Sequence, residues 1–312
     1  MKAQLNKRIK WLLRLLLIVV VLLNAIAFMH AYKFTHFSKG GKSKSTTELS
    51  VWEKTSLLFT GVRNPRPQNT QAPDTAYETV LIQSNKLLEA WWIKRDSAKG
   101  TVALFHGYGG EKSSMLDKAA VFRQMGYNTL LVDFMGAGRS EGRQTTVGFF
   151  EAQEVKDCLA YLKEQGETNI HLFGTSMGAV AIMKAIDKYN IQPASIIIEC
   201  PFGTMMQTVK ARFKIMGVPS FPMAQLLVFW GGIQNGFWAF EHNPVEYAKN
   251  IHCPTLLLYG EHDPKVSRSE IDAIYANLKG KKQLKTYPEA GHENYLTNYK
   301  EAWVNDIEAF MK

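Results

Sequence analysis

The chain has 312 residues, of which 46% are hydrophobic and 21% charged, so it holds enough apolar sequence to bury a core and is not a disordered chain. Its three cysteines, Cys158, Cys200 and Cys253, cannot build a disulfide framework, and none stands in C-x-x-C spacing; they read as small buried hydrophobes. The net charge of +9 points to a nucleic-acid partner only until it is located. Residues 1–54 hold ten Lys/Arg against Glu48 and Glu53, and the other 258 residues carry 27 basic and 26 acidic side chains, so the basic balance belongs to the N-terminus and a nucleic-acid-binding face on the folded body is not supported.

The basic N-terminus flanks an apolar run. After a basic tail over residues 1–10, positions 15–23 read LLLIVVVLL, and with Trp11, Leu12 and Leu13 the stretch approaches the ~20 residues that span a bilayer. Arg14 lies near one end, where its head snorkels to the lipid surface, and Trp11 and Tyr32 stand at interfacial positions. Two readings of residues 11–31 stay open. One is an uncleaved transmembrane anchor with the rest of the chain on the extracytoplasmic side. The other is a cleaved signal peptide, because Ala25-Ile26-Ala27 has the A-x-A form, leaving a secreted or periplasmic protein. Residues 32–75 read as a tether and pre-domain segment. FSKGGKSKSTT (37–47) lacks apolar periodicity and is expected to be flexible, 48–60 to form a short helix, and NPRPQNTQAPD (64–74) to be a Pro-rich loop.

From residue 76 to 312 apolar strands alternate with amphipathic helices. YETVLIQS and LLEAWWIKR predict a hairpin, and TVALFHG a buried strand followed by a helix over about 113–125. NTLLVDF, NIHLFGTS, ASIIIEC, PTLLLYG and KQLKTYP predict further strands, with helices between and after them. The class is α/β: a mostly parallel sheet with helices on both faces. One interval breaks the rhythm. Residues 202–250 lack a strand, are rich in Phe, Met and Trp, and predict an inserted helical cap roofing the site.

Gly174-Thr175-Ser176-Met177-Gly178 matches G-x-S-x-G between a predicted strand and a predicted helix, the context of a nucleophile elbow. The hydroxyl of Ser176 would project above the sheet, and the Met177 N–H at the helix start would face a developing oxyanion. His106-Gly107-Tyr108-Gly109-Gly110 follows the third strand. Its Tyr108 N–H is the second candidate oxyanion donor, and His106 a loop-fixing residue. A serine needs a base, and the base an orienting acid. Asp263 and His292 fall in loops after the last two predicted strands, at the sheet edge that carries the elbow, and the order Ser176, Asp263, His292 suits this fold. Glu261 and Glu199 are rival acids. Asp133-Phe134-Met135-Gly136-Ala137-Gly138-Arg139-Ser140 lacks the third glycine of a dinucleotide fingerprint and reads as a structural loop.

On HGYGG (106–110), DFMGAGRSEG (133–142), GTSMG (174–178), GEHDP (260–264) and AGH (290–292), residues 75–312 resemble the α/β-hydrolase superfamily, and more narrowly the membrane-tethered and secreted serine hydrolases of the BEM46-like group. The resemblance implies acyl transfer by Ser176 with no metal or cofactor, on a small-molecule or lipid-like acyl substrate. It leaves ester, amide and thioester open. An intact Ser-Asp-His set speaks against a non-catalytic binding module. The apolar insert leads us to expect a preference for medium or longer acyl chains.

Overall fold

The computed structural model describes residues 2–38, 40, 52, 61 and 64–312. Eight strands form one sheet: β1 (Glu78–Gln83), β2 (Leu87–Ile93), β3 (Thr101–Phe105), β4 (Asn128–Val132), β5 (Ile170–Thr175), β6 (Ser195–Glu199), β7 (Thr255–Gly260) and β8 (Lys282–Tyr287), in the order β1-β2-β4-β3-β5-β6-β7-β8. β1 and β2 form the expected antiparallel hairpin, β2 pairs antiparallel with β4, and every other pairing is parallel. All residues of β3, β4, β6 and β7 are buried, which is why the middle of each segment is a run of apolar residues rather than an alternation.

Helices cover both faces. α2 (Leu116–Gln124) lies on one; α3 (Glu151–Glu164) and α4 (Met177–Tyr189) lie on the other. The helix expected from 113 opens instead as a 3₁₀ turn over Lys112–Met115, and α2 begins at Leu116. Between β6 and β7 the insert contains α5 (Met205–Met216), α6 (Met223–Asn235) and the short α7 (Pro244–Tyr247). α8 (Arg268–Asn277) joins the α3–α4 face; α9 (Tyr295–Asn298) and α10 (Lys300–Met311) close the other, where Trp303 and Ile307 are fully buried. Each large apolar side chain removed from water in these layers contributes about 1.5–3 kcal/mol.

The N-terminal helix α1 (Lys2–Thr35) is 34 residues long and outruns the apolar segment at both ends. It contains a stretch long and apolar enough to cross a membrane. Its last turns do not hang on a tether. Ala27, Ala31 and Thr35 are buried, Phe37 is buried just beyond the helix, and the Phe37 N–H donates to the Arg143 carbonyl at 2.6 Å. The Ser38 N–H donates to Asn64 O at 2.7 Å, tying the helix end to the Pro-rich loop. Phe37 and Ser38, expected to open a flexible tether, are instead docked, because the Phe37 ring is buried and both N–H groups find carbonyl partners. Of the tether expected over 37–47, residues 39 and 41–47 lie outside the described residues, as does the short helix expected over 48–60 save Trp52.

The loop after β4 is a scaffold. Asp133 is fully buried; its Oδ1 accepts the Lys112 N–H at 2.7 Å, and its Oδ2 accepts the Lys112 ammonium and the Asn69 amide. Gly138 has φ +45°, and a Cβ there would collide with the Asp133 carboxylate. Lys112 is itself fully buried, with Glu89 as its second anionic partner at 2.9 Å. Burial alone would raise the Asp133 carboxyl, but the charge and hydrogen bonds of Lys112 overcome it and hold it below the usual range. Removing one partner leaves a buried charge under-compensated. Asp133→Ala is therefore expected to cost about 3 kcal/mol in urea unfolding of the detergent-solubilised chain. Unchanged stability would contradict this account of the loop.

Candidate active site

The turn from β5 into α4 forces Ser176 into φ 51°, ψ −108°, a conformation that costs a non-glycine residue about 1–3 kcal/mol. The surroundings enforce it. The Ser176 N–H donates to the Glu199 carbonyl at 2.8 Å, and its carbonyl accepts the Val180 N–H at 3.0 Å. The two glycines of the motif are required by contact. A Cβ on Gly174 would lie 2.6 Å from the Ala179 nitrogen, and one on Gly178 would run into the Phe105 carbonyl. Glycine at both positions lets α4 start directly against the ends of β3 and β5.

Three loops at the C-terminal sheet edge meet above this turn. The Ser176 hydroxyl is 3.1 Å from His292 Nε2, and His292 Nδ1 is 2.7 Å from Asp263 Oδ2. A carboxylate only accepts, so Nδ1 carries a proton, and in the neutral imidazole Nε2 is left to accept the serine hydroxyl. The other Asp263 oxygen takes the N–H groups of Lys265 and Val266 at 2.7 and 3.0 Å, which fixes the carboxylate. The β7 and β8 loops are locked together: His262 N–H donates to Ala290 O at 2.9 Å, and a Cβ on Gly260 would lie 2.6 Å from that carbonyl oxygen. Burial disfavours the imidazolium, yet the facing Cys200 sulfur and the Asp263 carboxylate prevail and hold His292 above its ordinary value.

The rival acids are occupied elsewhere. Glu199 is fully buried; it accepts the Trp303 indole N–H at 2.7 Å and the Thr175 hydroxyl at 2.9 Å. Glu261 lies out in solvent, 3.7 Å from Arg268. His106 fixes its loop, with Nε2 accepting the Phe134 N–H at 3.1 Å and Nδ1 meeting the Gly107 carbonyl at 2.8 Å.

Met177 is the first residue of α4, where a helix leaves its N–H without an intrahelical partner. Tyr108 lines the cavity over Ser176, and its ring has a partner the sequence pattern did not reveal. It stacks on Phe34 from the end of α1 with centroids 4.5 Å apart, its hydroxyl donates to Phe34 O at 2.8 Å, and it accepts the Asn64 amide at 2.6 Å. The N-terminal helix therefore ends against the loop that carries Tyr108.

The cavity is about 370 Å³ and is lined by Tyr108, Lys118, Ser176, Arg212, Lys265 and His292, among others. Its roof differs from the expectation. Of residues 202–250 only Arg212 reaches it, whereas Trp230 faces α1 and Phe237 stacks on Phe149, with centroids 4.1 Å apart. Trp230 and Phe237 thus found their partners away from Ser176. Cys200, read from sequence as a plain hydrophobe, lies one residue past β6 in the left-handed region (φ 41°) and also lines the cavity. Its sulfur, a His292 nitrogen and an Asp263 oxygen lie within 4.8 Å of one another. A metal there would have to break the His292–Asp263 hydrogen bond, so the donor set fits proton handling rather than a metal centre. Its position after a strand, like those of Asp263 and His292, was the available signal.

A family model described as serine aminopeptidase, S33, matches residues 96–231. The chain is 23% identical over 230 residues to the uncharacterized protein YqkD of Bacillus subtilis, covering 72% of this chain and 75% of that one. It is 26% identical over 192 residues to lysophosphatidylserine lipase ABHD12 of Xenopus tropicalis, covering 56% of this chain and 46% of that protein, so it spans less than half of that relative. Among solved structures, the Pyrococcus furiosus esterase Pf2001 superposes with a TM-score of 0.66 at 23% identity, covering 80% of this chain and 98% of that one. This likeness shows the α/β-hydrolase fold.

The Tyr108 hydroxyl joins α1 to the loop, so Tyr108→Phe should remove both of its hydrogen bonds, lower stability by about 1 kcal/mol and lower Tm accordingly. An unchanged melting curve would mean that the α1 end does not brace the loop.

Proposed function

We propose that this chain, an α/β-hydrolase by fold and by the relatives it matches, is a membrane-tethered serine hydrolase that cleaves the carboxylic ester of an amphiphile through an acyl-enzyme. The observation that carries the reading is the unbroken line of hydrogen bonds from Ser176 through His292 to Asp263, at 3.1 and 2.7 Å. Ser176 Oγ attacks the ester carbonyl carbon while its proton passes to His292 Nε2. Asp263 steadies the imidazolium, and the N–H groups of Met177 and Tyr108 receive the oxyanion. The alcohol departs with the proton from His292. Water then gives its proton to the same nitrogen and releases the acid. The position of α1 beside the site supports an acyl chain of medium or greater length.

Two features favour an anionic ester over a peptide. Arg212 and Lys265 line the cavity, beside a Lys118 that is already paired with Glu199 at 3.9 Å and donates to Asn294 Oδ1 at 2.6 Å, and among the described residues the lining holds one acid, Glu293. Among the described residues Arg212 has no carboxylate partner; its Nη1 donates to Thr208 O, and its guanidinium lies 6.0 Å from the Phe34 ring. An aminopeptidase substrate would bring its α-ammonium group against these cations, whereas a phosphate or carboxylate would be welcomed. The ABHD12 relative is named for an anionic single-chain lipid.

Ester hydrolysis requires His292 without its extra proton. Because its imidazolium is favoured, kcat/KM should rise with pH through an acid limb above the ordinary 6.5. Asp263→Asn should lower turnover by about 10⁴-fold and move the residual limb downward. Glu199→Gln and Glu261→Gln should act far more mildly; a larger loss from Glu199→Gln would reassign the acid. Arg212→Ala should reduce kcat/KM about ten-fold for 1-oleoyl lysophosphatidylserine and leave monooleoylglycerol little changed. Equal losses on the two would refute anionic recognition.

A further inference from the structure

We propose that the α5–α6 hairpin of the insert is embedded in the same bilayer that α1 enters, so that the protein is held at two points and takes its substrate sideways from lipid. The proposal rests on reading α1 as a membrane helix. At the tip of the hairpin Ile215, Met216, Val218 and Phe221 are 52%, 62%, 47% and 77% exposed, an apolar cluster with no partner among the described residues over most of its surface. Lys210 and Lys214 stand exposed on α5 just before it, and no Asp or Glu occurs anywhere in residues 200–240. An apolar aromatic tip with a basic collar and no acid matches the chemistry of a phospholipid surface: side chains in the acyl region, ammonium groups among the phosphates.

The packing of α6 on α1 gives this cluster its level. The Trp230 indole N–H donates to Asn24 Oδ1 at 3.1 Å, the Trp230 and Phe28 rings meet edge-on at 5.3 Å, and the Gln234 amide donates to Phe28 O at 2.8 Å. One turn up α6 thus corresponds to one turn up α1, and the two helices run in the same direction. Met223, the first residue of α6, precedes Trp230 by seven residues, which displaces it about 10 Å toward the N-terminal part of α1. That part is the exposed apolar run: Leu12 to Leu22 contains large apolar side chains between 43% and 63% exposed. The tip therefore lies alongside the segment of α1 that needs lipid. From the tip, α5 leads back one turn to Arg212 in the cavity wall, a short path from bilayer to Ser176.

The test uses the full chain reconstituted in vesicles of phosphatidylcholine with phosphatidylglycerol. A nitrobenzoxadiazole probe on Phe221→Cys should be quenched by nitroxides on the lipid acyl chains and shielded from aqueous iodide. The same probe on Glu164→Cys, at the end of α3, should behave oppositely. Iodide quenching at 221 equal to that at 164 would overturn the proposal. As a functional readout, Met216→Asp combined with Phe221→Asp should leave turnover of a soluble p-nitrophenyl ester unchanged and slow turnover of a long-chain ester presented in the vesicles by roughly ten-fold. An equal fall in both assays would overturn the proposal as well. Should no ester be turned over at all, the probe at 221 still decides the hairpin, and it is the hydrolase assignment that fails.

Discussion

The site depends on how closely α4 approaches the sheet. Gly178 sits against the Phe105 carbonyl at the end of β3, and Gly174 against the first turn of the helix, so neither position accepts a Cβ without moving backbone. That approach leaves the residue between them no relaxed conformation, and Ser176 takes the strain in its φ of 51°. The strain has a structural consequence: the hydroxyl stands clear of the sheet, above the point where β3, β5, β6, β7 and β8 all end. Parallel strands share one C-terminal edge, so Cys200, Asp263 and His292 come within 4.8 Å of one another from three different loops, and Tyr108 joins the cavity wall from a fourth.

Around that centre the charges divide into two sets. Asp133 with Lys112, and Glu199 with Thr175 and Trp303, are buried and fully engaged, and they hold loops in place. Arg212 and Lys265 line the cavity and face open space. This division separates residues that shape the site from residues available to a substrate, and it gives the cavity a cationic character although residues 55–312 are close to neutral.

Much of this was legible in the sequence because its causes are local. Strands buried on both faces carry unbroken apolar runs, which made β3 to β7 visible, and the elbow declares itself through two glycines at fixed spacing. Asp263 and His292 could be singled out because each follows a strand in the expected order, and the structure places both beside Ser176. What escaped was set by contacts distant in sequence. Phe34 carries no sign that it will stack on Tyr108, seventy-four residues on, and the same holds for the pairing of Asn24 with Trp230. The insert was recognised as apolar, but its direction was misread. Periodicity reports that side chains seek a nonpolar neighbour, not whether that neighbour is the cavity, another helix or lipid. Cys200 escaped for a chemical reason, since a cysteine packs like a small hydrophobe whether or not its sulfur faces an imidazole.

The central claim is that Ser176 is the nucleophile, activated by His292. Reaction of the full-length protein with a fluorophosphonate, followed by peptide mass mapping, tests it directly. The account predicts a single stoichiometric adduct on the peptide containing Ser176, lost in Ser176→Ala and strongly slowed in His292→Ala. A stable adduct on another residue, or no adduct on folded protein, would contradict it.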